Sequence, residues 1–334
     1  MYKSLGQVKL KSGESVEAAV LHGPEPDWAD RIIELIGHKG QIWNEQNRCI
    51  LTQNRGIDTS FYLLLRDKQP FANILITQLN HVAMLGHVYT LPGDRKKGAM
   101  AMLMDIQMNR TRSQGAKAIF LVTEFNTHPF RLYERFGFTA IEPQSGQMHW
   151  YADSHKKFDD AYFAPGPTAI EPLGWGHWPA SAALCMGNWP GVVRCAPIKL
   201  TGRTISEESL LHILLARESP NDPTHPRAEG TALVNRHTSA VVGLTAWSQH
   251  PLWPRRVIVD VYCHPQFWPA ADELFDTLAL PQSDGYIAYA DETCPHKLDT
   301  LGRAGFKKTA VLTGRIPADA ANSRFLDITV LEKN

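Results

Sequence analysis

The sequence predicts an α/β protein built twice, each half a mixed β-sheet flanked by helices. Three observations predict it. Apolar runs of strand length, separated by turn residues, fall at 61–66, 71–77 and 84–90. A helical stripe and a buried strand-like run follow at 99–110 and 116–123, and the same pattern returns in residues 195–334.

Phe61 to Arg66 and Phe71 to Thr77 read as two strands, with Asp67-Lys68-Gln69-Pro70 turning them into a hairpin. Met84 to Thr90 supplies the next strand. Leu91 to Gly98 is a Gly-containing turn, after which Ala99, Met102, Leu103 and Ile106 recur at helical spacing until Gly115 ends the helix. Residues 116–123 suit a buried strand, and 127–136 a short helix closed by Gly137. Phe138 to Ile141 and Gln147 to Tyr151 form a last hairpin around Pro143 to Gly146. From Asp153 to about Val193 the composition shifts to Pro, Gly and Trp, too aromatic for a solvated linker. The division expected is therefore 1–151, a packed connector at 152–194, and 195–334.

The second half repeats the first. Val261-Tyr262-Cys263-His264-Pro265 lies against Val88-Tyr89-Thr90-Leu91-Pro92 at a constant offset, and Thr231–Arg236 with Val241–Thr245 supply the earlier hairpin. Gly302-Arg303-Ala304-Gly305-Phe306 matches Glu134-Arg135-Phe136-Gly137-Phe138. The chain reads as a tandem duplication with one half altered.

Composition bounds the function. The 334 residues are 43% hydrophobic and 20% charged, a globular balance, and 34 basic residues against 34 acidic give zero formal charge. No global field draws the chain to nucleic acid or to anionic lipid, so neither is an expected partner. No apolar run approaches the roughly 20 residues of a membrane span, and Met1 to Leu10 lacks the apolar core of a signal peptide, so a soluble, cytoplasmic protein is expected. Five scattered cysteines without a C-x-x-C pair argue for reduced thiols, with neither a disulfide framework nor a metal.

The turn at 91–98 has the makings of a phosphate cradle. Backbone N–H groups at a helix N-terminus, aided by the helix dipole, receive an anion; Gly98 permits close approach, and Arg95, Lys96 and Lys97 add positive charge. Alone, Arg-Lys-Lys before a helix also describes a solvated basic turn. Together with its strand, the segment 84–110 resembles the acyl-CoA motif of the GNAT N-acetyltransferase superfamily: Arg or Gln, two residues, Gly, one residue, then Gly or Ala. Arg95, Lys96, Lys97, Gly98, Ala99 and Met100 occupy those positions, with Met100 where a small residue is usual. Asn126-Thr127-His128-Pro129-Phe130-Arg131-Leu132-Tyr133-Glu134-Arg135-Phe136-Gly137-Phe138 resembles the superfamily stretch in which Asn is followed seven residues later by Tyr and then by Gly-Phe. The resemblance covers residues 15–151 strongly and 195–334 weakly, and implies two GNAT-like domains.

It further implies acetyl-CoA, or another short acyl-CoA, as co-substrate, without a metal. The amine attacks the thioester directly, while Val88, Tyr89 and Thr90 offer backbone hydrogen bonds to the acyl carbonyl and pantetheine. Tyr133 matches the family's usual acid; a phenol with an ordinary pKa of about 10 stays protonated and can hand its proton to the thiolate. It also fits a ring packed on the helix face. Asn126 is implied to hold pantetheine or a catalytic water, with helix capping as the alternative. Residues 82–86 lack the strand carboxylate that family members often use as base. His87 and Glu124 remain as candidates, the first for its pKa, the second also as a binder of the cation, and each also fits a purely structural role.

Aligning Pro265 with Pro92 sets Trp268 opposite Arg95, Ala271 opposite Gly98, and Asp272 and Glu273 opposite Ala99 and Met100. Aligning Phe306 with Phe138 sets Cys294 opposite Asn126 and Leu301 opposite Tyr133. Cradle and acid are both missing, so the second half is expected to keep the fold as a scaffold without binding CoA. Cys263 and Cys294, near His264 and His296, read as buried thiols beside surface histidines rather than as a metal site. Gln41 to Arg48 mixes aromatic, amide and carboxylate groups that can hold a polar amine, and fits equally a turn between helices. The function expected is transfer of an acetyl or short acyl group from CoA to the primary amine of a small molecule. The alternative is a non-catalytic acyl-CoA-binding accessory protein.

Overall fold

The computed structural model describes residues 1–220 and 227–334. By internal contacts these divide into two units, Met1–Thr139 with Met148–Ser154, and Ala140–Gln147 with His155–Asn334.

The first unit runs β1 (Tyr2–Lys9), β2 (Ser15–His22), α1 (Ala29–Ile36), α2 (Gln41–Thr52), β3 (Asp58–Arg66), β4 (Gln69–Leu79), β5 (Val82–Thr90), α3 (Ala99–Ser113), β6 (Ala118–Val122), α4 (His128–Arg135), β7 (Thr139–Ala140) and β8 (Gln147–Tyr151). These strands form one sheet in the order β1-β2-β3-β4-β5-β6-β8-β7. The β3–β4 hairpin closes tightly through Asp67 and Lys68, both at positive φ, the mirror-image turn whose twist suits two antiparallel strands. β1 to β5 are antiparallel neighbours, and β6 adds to β5 in parallel. Phe61, Leu63, Leu64, Ile74 and Leu75 are buried in this sheet, and α3 packs on β3 and β4. The buried stripe of α3 is Ala99, Leu103, Met104, Gln107, Met108 and Thr111 rather than the predicted Ala99, Met102, Leu103 and Ile106. Gln107 escaped notice because it is polar; its amide donates to Thr111 Oγ1 at 2.8 Å, which lets it enter the core.

The second unit continues with α5 (His155–Tyr162), β9 (Thr168–Pro172), α6 (His177–Ala180), α7 (Ala182–Met186), β10 (Val193–Cys195), β11 (Leu200–Thr201), α8 (Glu207–Glu218), β12 (Ala228–Asn235), β13 (Val241–Gln249), β14 (Val257–Cys263), α9 (Ala271–Asp276), β15 (Tyr286–Asp291), α10 (Pro295–Arg303), β16 (Lys307–Pro317) and β17 (Phe325–Lys333). Its main sheet has the order β16-β17-β15-β14-β13-β12-β9. Strand for strand this follows the first sheet from β7 back to β2, including one parallel pair, β14 with β15. The helix ends match as well. Gly137 and Gly305 stand at φ 90° and 89°, and Phe138 N and Phe306 N donate to the carbonyls of Tyr133 and Leu301 at 3.2 and 3.0 Å. Of the stretch 153–193, expected as a connector between the halves, residues 155–193 cluster with the second unit and supply β9 as an edge strand paired to β12. Where α3 has 15 residues, α9 has 6.

Candidate active site

β5 and β6 pair only at Val82 with Ala118, Ala83 with Ile119 and Met84 with Phe120. Beyond that point β5 runs on to Thr90 and β6 to Val122 with no pairing between them, so the edge of β5 facing β6 has no strand partner along 86–90, where the Thr90 carbonyl accepts instead from Arg95 Nε at 3.2 Å. This gap is open to solvent on its β6 side, where Val122 and Phe125 are 46% and 42% exposed. Thr90 Oγ1 is buried there with no protein partner.

A bulge sets the direction of that edge. Register against β4 slips between Asn73 and Leu75, opposite His87, whose φ of 48° is unusual for a non-glycine residue. Asn73 Nδ2 donates to the His87 carbonyl at 2.9 Å. From α2, Gln46 Oε1 lies 2.7 Å and Asn47 Nδ2 3.3 Å from His87 Nε2, and Trp43 meets the imidazole edge-on at 5.2 Å. His87, Gln46, Asn47 and Asn73 are all buried, and Gln46 Nε2, Asn47 Oδ1 and Asn73 Oδ1 have no protein partner. Burial, with the charge of Lys39 adding to it, pushes the His87 imidazole down to about 3. It is neutral at physiological pH and is engaged by α2, which is not the setting of a general base. Gln41 to Arg48, open in sequence between an acceptor segment and a turn, is the body of α2 and packs Gln46 and Asn47 against this bulge.

Past Thr90 the chain enters the turn that ends at Gly98. Gly98 has φ 83°, left-handed backbone that favours glycine, and forms the N-cap of α3. No side chain caps α3 and no acidic residue stands in its first turn, so its N-terminal N–H groups and dipole are available to an anion. Arg95 and Lys96 are exposed beside it. Lys97, predicted to share in this positive charge, is committed elsewhere. Its Nζ donates to Asp94 Oδ1 at 2.9 Å, and Arg66 joins the same carboxylate at 3.0 Å while also pairing with Glu14. The Arg66 guanidinium, helped by Lys97, holds the Asp94 carboxyl below its usual range. This clamp fixes the turn to the end of β3, and an acid three residues before a lysine is the sequence signal for it.

After β6, Glu124 and Asn126 are exposed. Asn126 does not cap α4. Thr127 does, its Oγ1 accepting from Phe130 N and donating to the Glu124 carbonyl at 2.7 Å. Asn126 stands at φ 60°, and its Oδ1 accepts from Arg131 at 3.0 Å. Tyr133 lies on the inner face of α4, 4% exposed, with Phe138 meeting its ring at 5.9 Å. Asn73, Thr127 and the Glu14–Arg66–Asp94 clamp went unnoticed in the sequence, although an asparagine within the apolar run Phe71 to Ile76 is a visible sign.

In the second unit the positions that the sequence aligns with the turn and with Tyr133 are occupied differently. Asp272 and Glu273 stand in the first turn of α9, and Trp268 and Leu301 are buried. His264, expected at the surface, is instead buried, stacked on Phe163 at 4.4 Å. Among the described residues, no group of three or more His, Cys, Asp or Glu is placed to hold a metal ion, and no helix is long and apolar enough to cross a membrane.

Comparison with known proteins gives a match of residues 32–138 to the model of the acetyltransferase (GNAT) family. No curated protein matches the sequence. Among solved structures, an N-acetyltransferase from Staphylococcus aureus Mu50 is 16% identical, aligning over 51% of this chain and 99% of its own with a TM-score of 0.36. The ribosomal-protein-S18-alanine N-acetyltransferase from Escherichia coli is 13% identical over 39% of this chain and 89% of its own, with a TM-score of 0.31.

Proposed function

We propose that the first unit, whose residues 32–138 match the GNAT acetyltransferase family, transfers an acetyl or other short acyl group from CoA to the primary amine of a small molecule. The observation that carries this reading is the open parting of β5 from β6 next to an uncapped, acid-free helix N-terminus. Acetyl-CoA supplies a thioester that the amine attacks directly, with the thiolate as leaving group.

The residues present fit such a co-substrate. The unpaired edge of Val88, Tyr89 and Thr90 takes up the amide groups of an extended arm as an added strand would. Arg95, Lys96 and the N–H groups around Gly98, Ala99 and Met100 hold its diphosphate, while Lys97 serves indirectly by tying Asp94 into the turn. Asn126 borders the gap as a polar contact. Tyr133 is assigned the proton given to the thiolate. Of the two candidate bases, Glu124 is the one exposed, and we assign it the binding of the incoming ammonium and the acceptance of its proton through water. His87 keeps a positioning role, fixing the bulge from which Val88 to Thr90 extend.

The test is thiol release from acetyl-CoA across a panel of primary amines, with calorimetric titration of CoA alongside. Release with at least one amine is expected. CoA binding with no release across the panel would favour the accessory-protein reading, and no CoA binding would overturn both.

A further inference from the structure

The two sheets treat the same gap in opposite ways. In the second unit β14 and β15 pair only at Val257 with Tyr286 and Ile258 with Ile287, and then part as β5 and β6 do. Here the gap is not open: β10 packs against both β14 and β15. Val192 N and Val193 N donate to Asp291 Oδ2 at 2.7 and 2.8 Å, Gly191 N donates to Thr293 Oγ1 at 3.0 Å, and Ala196 N donates to Asp260 Oδ2 at 2.8 Å. From α10, Lys297 Nζ donates to the Val193 carbonyl at 2.6 Å and sits 2.6 Å from Asp260 Oδ1, with Lys297 and Asp260 both 0% exposed. By the strand alignment Asp260 fills the position of His87, so the ion pair stands at the level where the first gap begins.

These charges and this strand depend on one another. Asp260 and Asp291 are buried; Asp291 Oδ2 accepts from the N–H groups of Val192 and Val193, Asp260 Oδ2 accepts from that of Ala196, and Lys297 donates to the Val193 carbonyl. Withdrawing the strand would strip Asp291 Oδ2 and Asp260 Oδ2 of these backbone donors and Lys297 of the Val193 carbonyl, leaving buried charges short of hydrogen bonds, a state proteins avoid. We infer that Gly191–Cys195 occupies, in the second half, the place that the arm of acyl-CoA takes in the first, making this half a closed copy that admits no cofactor. The inference rests on the reading of the β5–β6 gap as the acyl-CoA slot. It adds to the loss of the cradle a physical occupant, and it assigns to Asp260, Asp291 and Lys297 the work of holding that occupant in place.

Hydrogen exchange and thiol labelling on the full chain test it. In the unaltered protein, the peptide covering 190–196 should exchange slowly, and Cys195, Cys263 and Cys294, all buried, should resist a maleimide. Asp291→Ala removes the acceptor of Val192 and Val193, and should speed exchange of that peptide by about 10-fold to 100-fold and expose Cys263 and Cys294 to the reagent. The peptides of β12 and β13 should stay protected, which separates opening from unfolding. Asp291→Asn, which keeps an acceptor oxygen, should restore most of the protection. Fast exchange at 190–196 in the unaltered protein would overturn the proposal, as would protection unchanged by Asp291→Ala. So would protection of β14 or α10 peptides upon addition of CoA. If instead CoA protects no part of the chain, the reading of the first gap falls while the exchange and thiol results still decide whether the second gap is filled.

Discussion

At His87 a residue nominated by its chemistry is removed from that role by its surroundings. The folded imidazole is held near 3 against an ordinary 6.5. Between those values the unfolded chain binds a proton that the folded chain refuses, so the contribution of His87 to stability is full above 6.5 and drains away as pH falls toward 3. His87→Gln should therefore flatten the acid side of the stability curve, by roughly 2 to 3 kcal/mol at pH 4.5 relative to pH 7.5, as read from denaturant midpoints of both proteins at each pH. Its effect on catalysis should fall on turnover through the bulge, without moving the pH profile of kcat. Tyr133 makes the opposite case. Tyr133→Phe keeps the ring that packs near Phe138 and removes only the hydroxyl, so kcat should fall about 10-fold to 1,000-fold while CoA affinity holds, measured by steady-state kinetics with calorimetry. Loss of affinity in step with kcat would make Tyr133 a cofactor contact instead.

Among the elements, the N-terminus of α3 is the one whose chemistry can be inverted by a single side chain. Met100→Glu places an acid in the first turn, where the helix dipole welcomes it and an incoming diphosphate does not. Thermal stability should be unchanged or slightly raised, and CoA affinity should fall about 10-fold or more by calorimetry; retained affinity would place the diphosphate elsewhere. The elements themselves were largely legible, because β3, β4, β5 and β6 are apolar runs bounded by turn residues and α4 is bracketed by Thr127 and Gly137. What stayed hidden has a common cause. The bulge at His87 needs positive φ at a residue whose type does not announce it. Lys97 looks like its neighbours Arg95 and Lys96 until Asp94 is seen to hold it. β10 is three residues long, and its partners Asp260, Asp291 and Lys297 are remote in sequence, so no local pattern marks it as a strand.

For the molecule as a whole, two sheets of like strand order whose gaps differ predict a stoichiometry. Calorimetry should give one CoA per chain, since the acid-free helix start and open gap of the first unit are replaced in the second by Asp272, Glu273 and β10. Two equivalent sites would contradict it. The strand order shared by the two sheets was foreseeable from the repeated Val-Tyr and Gly-Phe landmarks; the recruitment of 155–195 into the second unit was not, because Pro, Gly and Trp give that stretch the texture of a connector. The bond from Lys297 to the Val193 carbonyl spans 104 residues, and this sets a clock on biosynthesis. At a ribosomal pace of about 5 to 20 residues per second, Val193 is made roughly 5 to 20 s before the lysine that will hold it. Through most of that interval the nascent chain carries Val192 and Val193 ahead of the Asp291 and Lys297 that bind them, whereas the first unit already has every strand it needs. A chaperone that meets this protein during synthesis would meet it there.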